Sequence, residues 1–180
     1  MTAVDVDPML FAGHRCWTGP ELLAHEFPPL RWIVPGLVPA GLSLLVGAPK
    51  VGKSWAALDV ALAVAAGGRA LGGIGVEAGG VLYLALEDGP RRVADRMRML
   101  LGTRAASKRF HAFTDWPHGV DAARATWQWC TDHPDIRLVV VDTLARVRPQ
   151  RSKGGNSYDE DTAALIPWQE LAERFKVASC

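Results

Sequence analysis

GAPKVGKS, from Gly47 to Ser54, is the stretch that decides the fold of this chain. The apolar run Leu42–Val46 precedes it and predicts a buried strand, whereas the alanine-rich segment Lys53–Ala66 follows it and predicts a helix that two glycines end. Glycines in such a loop let backbone N–H groups converge on phosphate oxygens, and the helix N-terminus adds the positive end of its dipole. The motif and its setting between a strand and a helix therefore predict a phosphate-binding loop.

Further apolar runs alternate with helical segments along the chain. Val81–Leu86 and Leu138–Val141 lack polar alternation, which is typical of strands buried on both faces of a parallel sheet. Helices are predicted to begin at Pro90 and to lie within Val120–Cys130 and Tyr158–Phe175. Repeated strand–helix–strand units predict an α/β fold, in the form of a three-layer α/β/α sandwich with a mainly parallel sheet.

Charge and composition limit the class of protein. The net charge of +1 and the pI near 7.8 lack the strongly basic character of a protein that binds nucleic acid over its whole surface. The longest uncharged stretch, Trp32–Pro49, is interrupted by three prolines and three glycines, which argues against a membrane span. The first residues lack the basic start of a secretory signal, and the three cysteines are odd in number and lack metal-type spacing, which argues against disulfides and zinc sites. We therefore expect a cytoplasmic protein without a membrane partner.

The lysine and the serine of the loop indicate its chemistry. Lys53 is expected to span the β- and γ-phosphates of ATP and to be a catalytic residue, while the hydroxyl of Ser54 is expected to bind Mg²⁺. ATP and Mg²⁺ are thus the predicted cofactors. The predicted nucleotide-binding residues are Gly47, Ala48, Pro49, Lys50, Val51, Gly52, Lys53, Ser54 and Trp55.

Carboxylates follow the other two predicted strands. Asp142 ends the third strand and is expected at the carboxyl edge of the sheet, where it would hold Mg²⁺ through water opposite Ser54. An aspartate in this position can also simply cap a turn. Because Thr143 comes next, another carboxylate must act as the general base, and Glu87 is the candidate. Glu87 or its neighbour Asp88 could instead serve the N-terminus of the following helix.

A basic segment, Arg146–Asn156, lies just beyond Asp142 and carries four basic side chains. One interpretation is a loop that contacts the phosphates of single-stranded DNA and responds to the nucleotide through the Asp142 strand. The other is a solvated, mobile loop. The sequence alone does not decide between them.

Two sets of large side chains are interpreted as structural. The arginines of the helix that begins at Pro90 are predicted to form a solvated face. The seven tryptophans could be platforms for base stacking, but their helical spacing predicts that most of them lie in the core. Four of them are Trp32, Trp55, Trp127 and Trp168.

Five segments together resemble the RecA-like ATPases of the plasmid RepA replicative helicase type. They are Arg31–Leu37, the loop in its Gly-x-Pro-Lys-x-Gly-Lys-Ser form, Leu82–Asp88, Val139–Pro149 and Tyr158–Asp161. The resemblance covers residues 27–177. We therefore predict an ATPase domain over residues 27–180. Residues 1–26 have no periodic pattern and are predicted to form an extended arm or a segment docked on the domain edge.

The resemblance implies ATP hydrolysis in a ring-forming, usually hexameric, motor. In that comparison Glu87 matches the catalytic glutamate, and the loop after Asp142 matches a DNA-contacting loop. Relatives continue past the position of Val177 with a strand that lies between the loop strand and the Asp142 strand, whereas this chain ends at Cys180. We therefore expect a C-terminally truncated domain with a gap in its sheet, marginally stable and poor at hydrolysis.

Two other functions remain open on the sequence. One is a P-loop kinase that phosphorylates a small molecule, with Arg146, Arg148 and Arg151 as a lid. The other is a nucleotide-binding module without turnover.

Overall fold

The structure of the protein is a computed structural model that describes residues 16–147, 157–175 and 178–179. Its helices are α1 (Gly19–Ala24), α2 (Lys53–Ala66), α3 (Pro90–Leu101), α4 (Val120–Asp132), α5 (Leu144–Val147) and α6 (Ser157–Phe175). Its strands are β1 (Trp32–Val34), β2 (Val38–Pro39), β3 (Gly41–Leu42), β4 (Arg69–Ala70), β5 (Ile74–Gly75), β6 (Gly80–Ala85), β7 (Phe110–Phe113), β8 (Ile136–Asp142) and β9 (Ala178–Ser179).

The main sheet has the strand order β3-β9-β8-β6-β7, and its described pairs are parallel. Side chains alternate along the fully buried β6. Val81 and Tyr83 pack in a core with α2 and α3, whereas Leu82 and Leu84 pack in a second core with α4 and α6. The sheet is therefore covered by helices on both faces, and the predicted three-layer α/β/α sandwich is confirmed. Two small antiparallel pairs, β1-β2 and β4-β5, lie outside this sheet.

Helix α2 has the bounds that the sequence predicted. Seven of its residues are buried, because it is apolar nearly all round and lies against the sheet. It ends at Gly67, whose φ of 71° is left-handed, and the N–H of Gly68 donates to the Ala63 carbonyl at 2.9 Å. A Cβ at Gly67 would lie 2.9 Å from the Cβ of Ala78, so both the backbone and the space favour glycine there.

The predicted buried strand Leu42–Val46 is wrong in extent. Strand β3 contains only Gly41 and Leu42, and the side chains of Leu44, Leu45 and Val46 are 56%, 55% and 85% exposed. Among the described residues, β3 pairs only with β9, over two residue pairs. The backbone after Leu42 therefore lacks a ladder partner in the described part of the chain, and the apolar run continues as a coil towards the loop.

Strand β9 fills part of the expected gap in the sheet. Ala178 pairs with both Gly41 and Leu138, and Ser179 pairs with both Leu42 and Val139. Strand β9 therefore lies between β3 and β8, which is the position that the resemblance assigned to a strand missing from the chain.

The predicted extended arm, residues 1–26, contains a helix. In α1 the Thr18 hydroxyl accepts from the Glu21 N–H at 3.4 Å, and the Glu21 carboxylate accepts from the Thr18 N–H at 2.8 Å. The Thr18 N–H, together with the Thr18 hydroxyl that donates to the same carboxylate at 2.7 Å, lowers the pKa of Glu21 below its ordinary value. The helix follows from this local capping rather than from burial, since none of its residues is buried. Residues 1–15 lie outside the described residues.

Most tryptophans do not lie in the core, contrary to the prediction. Only Trp168 is buried, at 3% exposed, whereas Trp32 and Trp55 are each 37% exposed and Trp127 is 40% exposed. The buried face of α4 consists of Ala122, Ala123, Thr126 and Cys130, so small side chains rather than Trp127 meet the sheet.

Strand β7 was not predicted, because its four residues show neither a long apolar run nor alternation. No helix in the described ranges is long and apolar enough to span a membrane.

The packing of β6 generates a stability prediction. Leu82 is fully buried against α4 and α6, so Leu82→Ala should lower the free energy of unfolding by about 2–5 kcal/mol. Leu23→Ala is the matched control, because Leu23 is 90% exposed and its loss should cost less than about 0.5 kcal/mol. Urea unfolding measures both values. Equal losses for the two variants would contradict the three-layer packing.

Candidate nucleotide-binding site

The loop from Gly47 to Ser54 joins the end of the apolar coil to the first turn of α2. Gly52 precedes the helix with a φ of 97°, and Lys50 also has a left-handed φ, of 65°. A side chain at Gly52 would strain this turn, although no atom lies within 4 Å of the Cβ position. The ammonium of Lys53 donates to the carbonyls of Gly47 at 2.7 Å and Ala48 at 2.9 Å. The lysine side chain therefore lies along the inside of the loop.

Ser54 and Asp142 are brought together by the tertiary structure. The Ser54 hydroxyl donates to Asp142 Oδ1 at 3.1 Å, across 88 residues of sequence. Asp142 is the last residue of β8, so its carboxylate lies at the carboxyl edge of the sheet, as predicted. The peptide bond between Asp142 and Thr143 is cis. A hydroxyl and a carboxylate this close are oxygen donors of the kind that Mg²⁺ takes in proteins.

Tyr83 is a third member of this cluster, and no local pattern in the sequence predicted its role. Its hydroxyl donates to Asp142 Oδ2 at 3.1 Å, while its ring is 2% exposed and lies 5.9 Å from the ring of Phe110, centroid to centroid. Burial and the negative charge of Asp142 raise the pKa of Tyr83 well above its ordinary value. The phenol is thus a neutral hydrogen-bond donor to the carboxylate.

A cleft of about 320 Å³ lies over this cluster. Its walls are the coil before the loop, the first turn of α2 and the end of β8, and its polar lining includes Lys53, Ser54, Asp142 and Thr143. A larger and more open groove lies where α2 ends and β8 begins, at the other end of the sheet, and includes Arg31, Arg69 and Arg137. We assign the site to the smaller cleft, because only there do the loop and the strand-terminal carboxylate meet.

Glu87 lies at the same edge of the sheet as Asp142. Ala85 is opposite Asp142 in the register of β6 and β8, and the N–H of Leu86 donates to the Asp142 carbonyl at 2.7 Å. The Glu87 side chain is exposed and has no hydrogen bond or ion pair with the residues that the structure describes. It lines a shallow depression with Gly89 rather than the cleft itself.

Asp88, in contrast, is held by two arginines. Its carboxylate accepts from Arg96 and, at 3.1 Å, from Arg92, and its side chain is only 10% exposed. The helix that follows has no side-chain hydrogen bond at its N-cap residue, Gly89, so Asp88 does not cap the helix by a hydrogen bond to its backbone. The Asp88 carboxylate is instead paired with guanidinium groups of α3.

The prediction that the arginines of α3 form a solvated face is wrong for Arg96. Its side chain is 22% exposed, and its guanidinium carbon lies 5.5 Å from the centre of the Trp55 ring. Trp55 directly follows Ser54, so this contact connects α3 to the first turn of α2. Arg98, which is 73% exposed, does lie on a solvated face.

The predicted DNA loop, Arg146–Asn156, lies outside the described residues from residue 148 onwards. Arg146 is exposed, and its carbonyl contacts His118 Nδ1 at 2.5 Å. Val147 is buried at the end of α5. The start of the loop is therefore anchored to the domain just beyond Asp142.

The fold and the site together define a class of protein. The layered parallel sheet, with the loop before α2 and a carboxylate at the end of β8, has the RecA-like form of the P-loop ATPase fold. A crystal structure of the RadB recombinase is similar to 80% of this chain at 20% identity, with a TM-score of 0.51. The chain spans 61% of the length of that structure.

The sequence places the chain in a family. A family described as the AAA domain matches residues 16–180, and the chain belongs to it. No curated protein is similar to the chain in sequence. The family and the fold agree on an AAA-type domain with a P-loop fold.

The Arg96 contacts generate a prediction for the site. Arg96→Ala removes a partner of the nearly buried Asp88 and the cation over Trp55, and should lower the free energy of unfolding by about 1–2 kcal/mol. Arg98→Ala, in the same helix, should change it little because its ion pair is exposed. Thermal unfolding of both variants makes the comparison. If Arg98→Ala were the more damaging, the assignment of Arg96 would be wrong.

Proposed function

We propose that the chain binds ATP with Mg²⁺ in the cleft beside the loop and hydrolyses it. The observation that carries this proposal is the convergence of three side chains on one cleft. These are the ammonium of Lys53, the hydroxyl of Ser54 and the carboxylate of Asp142. A cation, a hydroxyl and an acid beside a helix N-terminus suit a triphosphate and its metal ion.

The phosphates would be bound by the loop and by Lys53. The Lys53 ammonium would exchange the carbonyls of Gly47 and Ala48, at 2.7 and 2.9 Å, for phosphate oxygens. This exchange pairs the charge of the lysine with an opposite charge, because the anion replaces neutral acceptors. The first N–H groups of α2 have no partner within the helix, so they would add to the attraction for the phosphates. Trp55 would form the edge of the nucleotide site next to them.

The residues present also fit Mg²⁺. Ser54 Oγ and Asp142 Oδ1 lie 3.1 Å apart, so a metal ligated by the hydroxyl would have the carboxylate beside it. Bound Mg²⁺ would neutralise charge on the β- and γ-phosphates during phosphoryl transfer. Asp142 would orient the water molecules of that ion, which Mg²⁺ retains when it binds to proteins.

Glu87 is the proposed general base. Its carboxylate is exposed at the sheet edge that carries Asp142 and makes no ion pair with any described residue, so it is available to a water molecule. The neighbouring Asp88 is less suited, because two arginines hold its carboxylate. The two adjacent acids thus differ in their partners, and this difference favours Glu87.

Two substitutions separate nucleotide binding from hydrolysis. Lys53→Ala removes the cation of the loop and should abolish the heat of Mg·ATP binding in calorimetry. Glu87→Gln keeps the shape of the side chain but cannot take a proton, so it should bind Mg·ATP normally and lose about 10²-fold or more in hydrolysis rate.

Lys108→Ala is the control for these variants, because Lys108 is exposed, lies two residues before β7 and does not line the cleft. It should match the wild type in both measurements. Hydrolysis at the wild-type rate by Glu87→Gln would remove Glu87 from the mechanism while leaving the binding site intact. Normal binding by Lys53→Ala would overturn the site itself.

We further propose that the domain is associated with DNA, as a helicase-type ATPase similar to plasmid RepA that assembles into a ring. Support comes from the resemblance of the five sequence segments and from the place of the basic segment 146–156, which begins three residues after Thr143 in the cleft wall. Single-stranded DNA would be contacted through phosphates by this segment. A nucleotide-dependent shift of the cleft wall would then reach the DNA through α5.

ATP hydrolysis should therefore rise when single-stranded DNA is added, and the rise should shrink as salt increases. Arg146→Ala should reduce the stimulation without changing the rate in the absence of DNA, whereas Arg124→Ala, an exposed arginine on α4, should not. The assay is phosphate release with the assembly mass measured in parallel. Transfer of phosphate to a small-molecule acceptor, with no response to DNA, would favour a kinase instead.

A further inference from the structure

We propose that Tyr83 is a positioning residue for the metal-binding carboxylate, fixing Asp142 so that one oxygen faces Ser54. This inference rests on the proposed Mg·ATP site. It concerns a side chain that enters neither the phosphate-binding loop nor the cleft lining. Tyr83 would act through Asp142 and would touch neither the nucleotide nor the metal ion.

The two oxygens of Asp142 have different partners. The Tyr83 hydroxyl donates to Oδ2 and the Ser54 hydroxyl donates to Oδ1, each at 3.1 Å. An aspartate carboxylate otherwise rotates over a broad range about its Cβ–Cγ bond. A donor on each oxygen restricts this rotation, so Oδ1 is directed towards Ser54 and the metal position.

Tyr83 is itself held firmly. It lies in the middle of β6, opposite Val140 of β8, and its ring packs in the core with α2 and α3. A buried phenol hydroxyl needs a hydrogen-bond partner, and Asp142 is that partner. Because both residues are in paired strands of one sheet, the register of β6 and β8 sets their separation.

Such positioning matters for a magnesium site. Mg²⁺ requires nearly ideal octahedral geometry, so a ligand or a water-orienting carboxylate that can rotate is less effective. Groups that orient metal-binding side chains typically contribute 10-fold or more to metal affinity. The loss should fall on the metal and not on the phosphate contacts of the loop.

Tyr83→Phe removes only the hydroxyl and retains the ring that packs on Phe110. With Mn²⁺ as a spectroscopic probe for the Mg²⁺ site, electron paramagnetic resonance should show that Mn²⁺ binds about 10-fold more weakly to the ATP complex of this variant. The affinity for ATP without metal should not change. Thr126→Val is the matched control, since it also removes a buried hydroxyl, one that donates to Ala122 at 2.8 Å in α4. It should leave Mn²⁺ affinity at the wild-type value.

Equal Mn²⁺ affinity in Tyr83→Phe and the wild type would overturn the inference and leave the nucleotide site standing. If Tyr83→Phe lost as much affinity for metal-free ATP as for Mn²⁺, the inference would also be overturned, because that pattern indicates general damage to the fold. Failure of the wild type to bind Mn²⁺ with ATP would count against the proposed function itself, and the inference would fall with it.

A second measurement, which keeps the Tyr83 hydroxyl, covers the case in which Tyr83→Phe does not fold. The chain contains two tyrosines, Tyr83 and Tyr158, so 3-fluorotyrosine labelling gives two ¹⁹F signals, and Tyr158→Phe identifies the one from Tyr83. Adding Mg²⁺ to the ATP complex should shift this signal, because the metal draws charge from the carboxylate that the phenol contacts. An unshifted signal would overturn the inference.

Discussion

Two hydrogen bonds to the carboxylate of Asp142 connect the three elements on which the site depends. Ser54 lies at the start of α2, Tyr83 lies in the middle of β6, and Asp142 is the last residue of β8. Because β6 and β8 are paired in register, a slip of one residue would turn Tyr83 to the opposite core and break the cluster. The geometry of the proposed metal site is therefore a consequence of sheet register as much as of the loop.

The loop owes its position to the helix that follows it more than to the strand that precedes it. Strand β3 is paired over only two residues, and Leu44, Leu45 and Val46 remain exposed on the way to the loop. Helix α2, in contrast, buries seven residues against the sheet and is closed at Gly67 by backbone hydrogen bonds. Burial on this scale holds the first turn of the helix, and hence Lys53 and Ser54, in place.

Glu87 and Asp88 are adjacent acids at this edge of the sheet, but they differ in their charged partners. Arg96 and Arg92 hold the carboxylate of Asp88, and Arg96 also covers the Trp55 ring beside the loop. Glu87 remains exposed and makes no ion pair within the described ranges, although it is one residue away. The partners of a carboxylate, rather than its place in the motif, decide whether it is free to act on a water molecule.

The sequence by itself determined the features that depend on neighbouring residues: the loop, the bounds of α2, the buried β6 and the acid that ends β8. Local periodicity, glycine positions and the order of strand, loop and helix carry this information. Only the tertiary structure decided which distant residues meet, such as Tyr83 with Asp142 or Arg96 with Trp55, and how far β3 is paired. Sheet register and helix packing set these contacts, and residues far apart in a single sequence carry no local signal of them.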